Sequence, residues 1–138
     1  MQTSSQDFAR RDDIDAILDM KKVVVVGLSS EPSRASYGVA KYMQGHGYQV
    51  IPVNPKEAEI LGEKAYSSLS DLPEPPEVVD VFRRPEHVAG VVDEAIAAGA
   101  KAIWLQLGVI DEKAAQKARD AGLLVVMDRC LKIEHAAR

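Results

Sequence analysis

Gly27, Ser29, Ser30 and Arg34 follow a run of four valines, Val23–Val26, and precede a stretch with helical patterning. A β-branched run ending in glycine, then hydroxyls and a cation, can hold an anion. The glycine permits a tight turn, and the start of the next helix offers unpaired N–H groups and the positive end of a dipole. Tyr37 and Gly38 continue into that helix. A glycine there costs about 1 kcal/mol relative to alanine, and close approach by a ligand or by the sheet would explain it. The competing view is an ordinary βα turn capped by serines.

Four other segments place polar groups just after apolar runs. Residues 50–53 lead into Asn54-Pro55-Lys56. A dinucleotide fold would put an acid at this strand end to hold a ribose diol, and residues 50–54 contain none. Lys56 suits a phosphorylated ribose, or is simply a solvated lysine. Phe82-Arg83-Arg84-Pro85 brings two planar forks suited to phosphate, unless they pair with carboxylates such as Glu86. Gln106 and Gly108 follow Trp104, which is expected in the core. Asp128, Arg129 and Cys130 follow the last apolar run. Cys130 is expected either as a small buried hydrophobe or, beside Arg129, as a reactive thiolate.

No catalytic set emerges from the spacing. His46, His87 and His135 show no metal-ligand spacing, and there is no Gly-x-Ser-x-Gly elbow or Walker lysine motif. Donors and cations suit binding an anionic nucleotide better than driving a reaction, so no enzyme activity and no metal are expected.

The elements that must position these groups follow from periodicity. Short apolar runs over 23–26, 48–53, 78–82, 102–105 and 123–127 read as strands. Helices are expected over 12–20, capped by Asp12 or Asp13, and over 36–44. Others should run from Pro85 to about 98 and from an Asp111 cap to about 120, with a short turn over 67–71. Strands alternating with helices imply an α/β fold, a doubly wound, Rossmann-like five-stranded parallel sheet. Its expected strand order is 3-2-1-4-5. Pro52 disfavours a central place for the second strand. Ligands of such sheets sit beyond the carboxyl ends of the strands, which is where the polar segments fall.

Length and composition fit one domain over 1–138. The chain has 138 residues, 46% of them hydrophobic, a net charge of −4 and one cysteine. The acidic balance excludes general attraction to nucleic acid or anionic membranes. A single cysteine forms no internal disulfide. The N-terminus lacks an apolar signal region and no run spans a bilayer, so a cytoplasmic location is expected.

The segments 25–56, "DVFRRPEHV", "IWLQLG" and "VVMDRCLKIEH", taken in order, resemble the stand-alone bacterial CoA-binding domain family. That family is similar in fold to the N-terminal domain of the succinyl-CoA synthetase alpha subunit. The resemblance covers about 17–135. It implies a CoA site in which Gly27, Ser29, Ser30, Arg34, Tyr37 and Gly38 meet the phosphates and pantetheine. It implies Asn54, Pro55 and Lys56 at the adenosine 3′-phosphate, and Phe82, Arg83, Arg84 and Pro85 as the opposing wall. Gln106, Arg129 and Cys130 complete the candidate set at the same edge. The loop at Arg83-Arg84-Pro85 is more basic than the proline-rich loop of the synthetase. The synthetase's phosphohistidine domain has no counterpart in these residues, so its ligase reaction does not carry over. The expected function is binding of coenzyme A or acyl-CoA. The alternatives are an NADP-dependent reductase subunit and one half of a two-chain acyl-CoA enzyme, which would need a protein partner.

Overall fold

The computed structural model describes residues 5–138; Met1–Ser4, part of the segment expected to lack a signal, lie outside them. Its strands are β1 (Lys22–Val26), β2 (Gln49–Val53), β3 (Glu59–Ile60), β4 (Glu63–Lys64), β5 (Val78–Val81), β6 (Ala102–Leu105) and β7 (Leu124–Met127). Its α-helices are α1 (Arg11–Leu18), α2 (Ala35–Gly45), α3 (Val88–Ala97), α4 (Glu112–Asp120) and α5 (Leu131–Ala136). Short 3₁₀ turns cover Ser5–Phe8, Leu69–Asp71 and Pro85–His87.

Five strands form a parallel sheet in the order β2-β1-β5-β6-β7. The doubly wound α/β class is as expected. The expected order needs one adjustment. Tyr66 makes a one-residue parallel bridge to Val53 on the outer edge of β2. Counted as the third strand, it gives 3-2-1-4-5-6, which contains the expected 3-2-1-4-5 pattern; the strand expected third, over 78–82, lies between β1 and β6. Proline explains why the outer edge is so short. The Pro52 carbonyl accepts from Tyr66 N (3.0 Å) on that side, so its missing N–H also faces outward. The ladder to β1 loses nothing, but the outer edge lacks a donor.

Side chains alternate between two apolar layers because every strand is covered on both faces. On one face Val24, Val26, Val79, Val81, Ile103, Leu105, Val125 and Met127 pack with α3, α4 and Phe8. On the other, Val23, Val25, Val78, Trp104 and Val126 pack with α1, α2 and α5. Burying one such valine contributes about 1.5–3 kcal/mol.

Asp111 caps α4 as expected, its Oδ1 accepting from Ala114 N at 3.0 Å. Asp12 and Asp13 do not cap α1. Arg10 is its N-cap, and both acids lie in the first turn, where they complement the dipole. Leu61 and Gly62 form a two-residue hairpin loop between β3 and β4, with φ of 55° and 77°. The C-terminal segment forms α5, held to α2 by Tyr42 Oη and His135 Nδ1 at 2.9 Å. No helix among the described residues is long and apolar enough to cross a membrane.

Candidate functional site

The crevice opens where successive helices leave the sheet on opposite faces. After β1 the chain enters α2, whose Val39, Ala40 and Met43 belong to one layer. After β5 it enters α3, whose Val88, Val91, Val92 and Ala95 belong to the other. The gap between the ends of β1 and β5 is the topological switch point.

Gly27 sits at that gap with φ of 85°. Its N–H donates to Val53 O at 3.0 Å, and Phe82 N donates to Val26 O at 2.9 Å. The loop after β5 therefore lies directly on the glycine. A Cβ at Gly27 would stand 2.3 Å from Phe82 O and 3.1 Å from Cδ of Arg83. This brings Arg83 over the first loop, a juxtaposition that spacing in the sequence does not show. Beyond it, Ser29 N donates to the buried Ser36 Oγ (3.0 Å), and Glu31 N donates to Ser29 Oγ (3.0 Å). The helix that follows has Arg34 at its N-cap and no side-chain cap. Its first-turn N–H groups are thus open to an anion. Tyr37 is half-buried and Gly38 exposed. A Cβ on Gly38 meets nothing within 4 Å, so close packing on the sheet does not explain that glycine.

The turn after β2 is welded to this loop through Asn54. Its Nδ2 donates to Leu28 O (2.9 Å), while its Oδ1 accepts from Lys56 N (2.8 Å). Pro55 and Lys56 are exposed. One acid, Glu57, follows three residues after Asn54, beyond the strand end where an acid for a ribose diol is expected. Glu57 Oε1 accepts from Ser30 Oγ at 2.7 Å, tying the rim of the first loop to the turn. Arg84 and Pro85 are also exposed, as the N-cap and first residue of the 3₁₀ turn over Pro85–His87. Among the described residues, Arg34, Lys56, Arg83, Arg84 and Arg129 take part in no ion pair.

The ends of β6 and β7 form a second platform at the same edge. Gln106 is buried, and its Oε1 accepts from Leu131 N (3.1 Å) at the start of α5. Its carbonyl oxygen holds the C-terminal helix and is not presented to the crevice. Trp104 is fully buried and donates from Nε1 to Arg129 O (2.8 Å). Arg129 is exposed; Cys130 is half-buried against the α1/α2/α5 layer and is the N-cap of α5. Asp128 has φ of 62°, unusual outside glycine, and its Oδ1 accepts from Gly108 N at 2.9 Å.

Asp80 lies one residue before the end of β5, in register with Val25 and Trp104. It is fully buried and neither carboxyl oxygen has a hydrogen-bond partner. Burial pushes its carboxyl well above the ordinary value. A lone acid inside "VVDVF" is the sequence signal that would have found it.

The molecule is thus a doubly wound α/β protein with a glycine turn at its switch point and unpaired cations around the rim. The chain belongs to the CoA-binding domain family, whose CoA binding domain matches residues 21–136. It is similar to YneT of Bacillus subtilis (strain 168), at 46% identity over 84% of this chain and 86% of that protein. A solved structure, a hypothetical protein from Pyrococcus horikoshii OT3, superposes with a TM-score of 0.90. The two are 42% identical, over 99% of this chain and 97% of that one. A more distant relative is the acetate–CoA ligase [ADP-forming] I subunit alpha of Pyrococcus furiosus. It is 29% identical over 65% of this chain, which spans only 21% of that protein. The expected kinship with a CoA-handling ligase subunit is therefore found.

Proposed function

We propose that this chain binds coenzyme A or acyl-CoA in the cytoplasm and has no catalytic machinery of its own. The observation that carries this is the Asn54 clamp. It fixes the Lys56 backbone to the loop that leads into the uncapped start of α2, with Arg83 over that loop, so that two separate anionic groups can be met along one edge. A pyrophosphate fits the helix start and a 3′-phosphate fits Lys56. The hydrogen-bonded histidines His46 and His135 lie at the α2–α5 contact, away from the strand ends, so neither serves a nucleophile in the crevice. The single cysteine suits a reducing compartment. One observation favours a second arrangement, in which this chain works with a partner: the Pyrococcus furiosus relative is itself a subunit.

A ligand at 100 times its Kd stabilises the fold by about 2.7 kcal/mol. Thermal unfolding is expected to shift upward with CoA, less with 3′-dephospho-CoA, and not with NAD at equal concentration. Lys56→Ala should weaken CoA binding by about 1.5 kcal/mol, the lower end for hydrogen bonds to charged groups. It should leave dephospho-CoA unaffected. An NAD shift matching that of CoA removes the proposal; equal losses on both CoA forms place the 3′-phosphate elsewhere.

Glu57 gives a prediction of opposite sign. In the free protein its carboxylate occupies the Ser30 hydroxyl and opposes an incoming phosphate. Glu57→Gln keeps an acceptor for Ser30 and removes the charge. CoA binding is expected to tighten by about 0.5–1 kcal/mol, the scale of an exposed charge pair. Calorimetric titration of both proteins checks this, and weaker binding would instead mark Glu57 as an acceptor for the ligand.

A further inference from the structure

Leu107 and Ile110 are large apolar side chains that the fold leaves in water, 58% and 42% exposed. Both sit on the loop between β6 and α4, at the edge of the sheet that carries the crevice. Their support is fixed. Gly108 N donates to Asp128 Oδ1 (2.9 Å), Val109 N donates to Gln106 O (2.9 Å), and buried Val109 anchors the loop between them. Asp128 makes its contact from a left-handed backbone at φ 62°, a conformation that aspartate adopts more readily than most residues other than glycine. Two exposed apolar side chains three residues apart on a held loop offer a small apolar surface at this edge.

The sheet order identifies what can reach it. Along the strand ends the chain presents Lys56 after β2, Gly27 after β1, Arg83 after β5, then Leu107 and Ile110 after β6. Neighbouring strands lie about 4.8 Å apart, so β2 and β6 are separated by roughly 14 Å. A ligand with its 3′-phosphate at Lys56 and its pyrophosphate at the first loop that continues in the same direction crosses β5 and reaches the ends of β6 and β7. What lies at that end of a CoA thioester is the acyl group. Two side chains offer far less area than the roughly 800 Å² per partner of a stable protein interface, but they match a short alkyl chain.

We propose that Leu107 and Ile110 form an acyl subsite, and that the ligand is an acyl-CoA bearing an apolar chain of several carbons rather than free CoA. The proposal rests on CoA binding at this edge, and its test separates the two. Calorimetric titration compares CoA, acetyl-CoA and hexanoyl-CoA on the parent protein and on the double variant Leu107→Ser, Ile110→Ser. Hexanoyl-CoA is expected to bind about tenfold tighter than CoA, as partial burial of its methylenes gives. Acetyl-CoA should fall near CoA. The double variant is expected to erase the hexanoyl preference. Equal affinity for CoA and hexanoyl-CoA on the parent overturns the acyl subsite, leaves CoA binding standing, and reassigns the pair to a protein contact. A preference that persists in the double variant overturns it as well. Absence of binding by all three ligands overturns the CoA-binding function itself, and this subsite with it.

Discussion

Asp80→Val is expected to stabilise the protein by about 2 kcal/mol at neutral pH, with a gain that grows as pH rises. The parent buries a carboxyl whose two oxygens have no partner, and an unsatisfied buried polar group costs about 1–3 kcal/mol. Valine is the residue that the sheet uses around it, at Val25, Val78, Val79 and Val81, and it suits a strand covered on both faces. The pH dependence follows from the raised carboxyl value. Between the unfolded value, about 3.9, and the higher folded value, the native state holds more protons than the unfolded chain. The stability that goes with the bound proton is complete below the unfolded value. It is lost as pH rises toward and through the folded one, at up to about 1.4 kcal/mol per pH unit. The valine variant has no such loss. Urea unfolding of both proteins at about pH 4, 6 and 8 measures the difference. A gain that shrinks with rising pH, or a net loss of stability, would mean that Asp80 acquires a partner in solution. A buried acid with no packing rationale belongs to function more often than to stability. CoA titration of the same variant therefore shows whether the acid serves the crevice one residue away.

Gly27→Ala is expected to cost about 3–4 kcal/mol of stability and to abolish CoA binding. Two penalties combine. A side chain at φ 85° costs about 1–2 kcal/mol. The new Cβ would stand 2.3 Å from Phe82 O, and relieving such overpacking typically costs about 1–3 kcal/mol. Phe82 cannot simply withdraw, because its N–H holds Val26 O. The loop after β5 must then move away from the first loop and take Arg83 with it. Gly38→Ala is the control for stability alone, because Gly38 itself belongs to the candidate site. Its Cβ meets nothing and its position is helical, so a gain of about 0.5–1 kcal/mol is expected. Chemical denaturation of the two variants and CoA titration of Gly27→Ala decide the matter. If Gly27→Ala folds and binds as the parent does, the two loops are not in contact.

What the sequence determined by itself is local and periodic. The valine run and the spacing of apolar segments placed the main strands within a residue or two of their observed ends, and the Asp111 cap placed the start of α4, because period and capping act over a few neighbours. Gly27 and Asn54 were legible for the same reason: a glycine after a strand and an Asn-Pro turn have local causes. The family resemblance, carried by residues in order along the chain, was legible too.

Tertiary structure decided which of these residues meet. Tyr66 supplies the outer pairing of β2, and the 78–81 strand comes to lie beside β1. Nothing local distinguishes one parallel partner from another; the direction in which the Pro52 carbonyl points does. Contact between Phe82 and Gly27, and the clamp from Asn54 to Leu28, join segments far apart in the chain. Gln106 has the chemistry of a ligand-binding amide, yet folding brings Leu131 N to its oxygen first. Glu57 lies beyond the strand end where a ribose-binding acid is expected, and the turn returns it to Ser30. Asp80 is an acid in the sequence whatever its surroundings. Only the packing of two apolar layers makes it a buried one, because burial is a property of the assembled sheet and not of the strand.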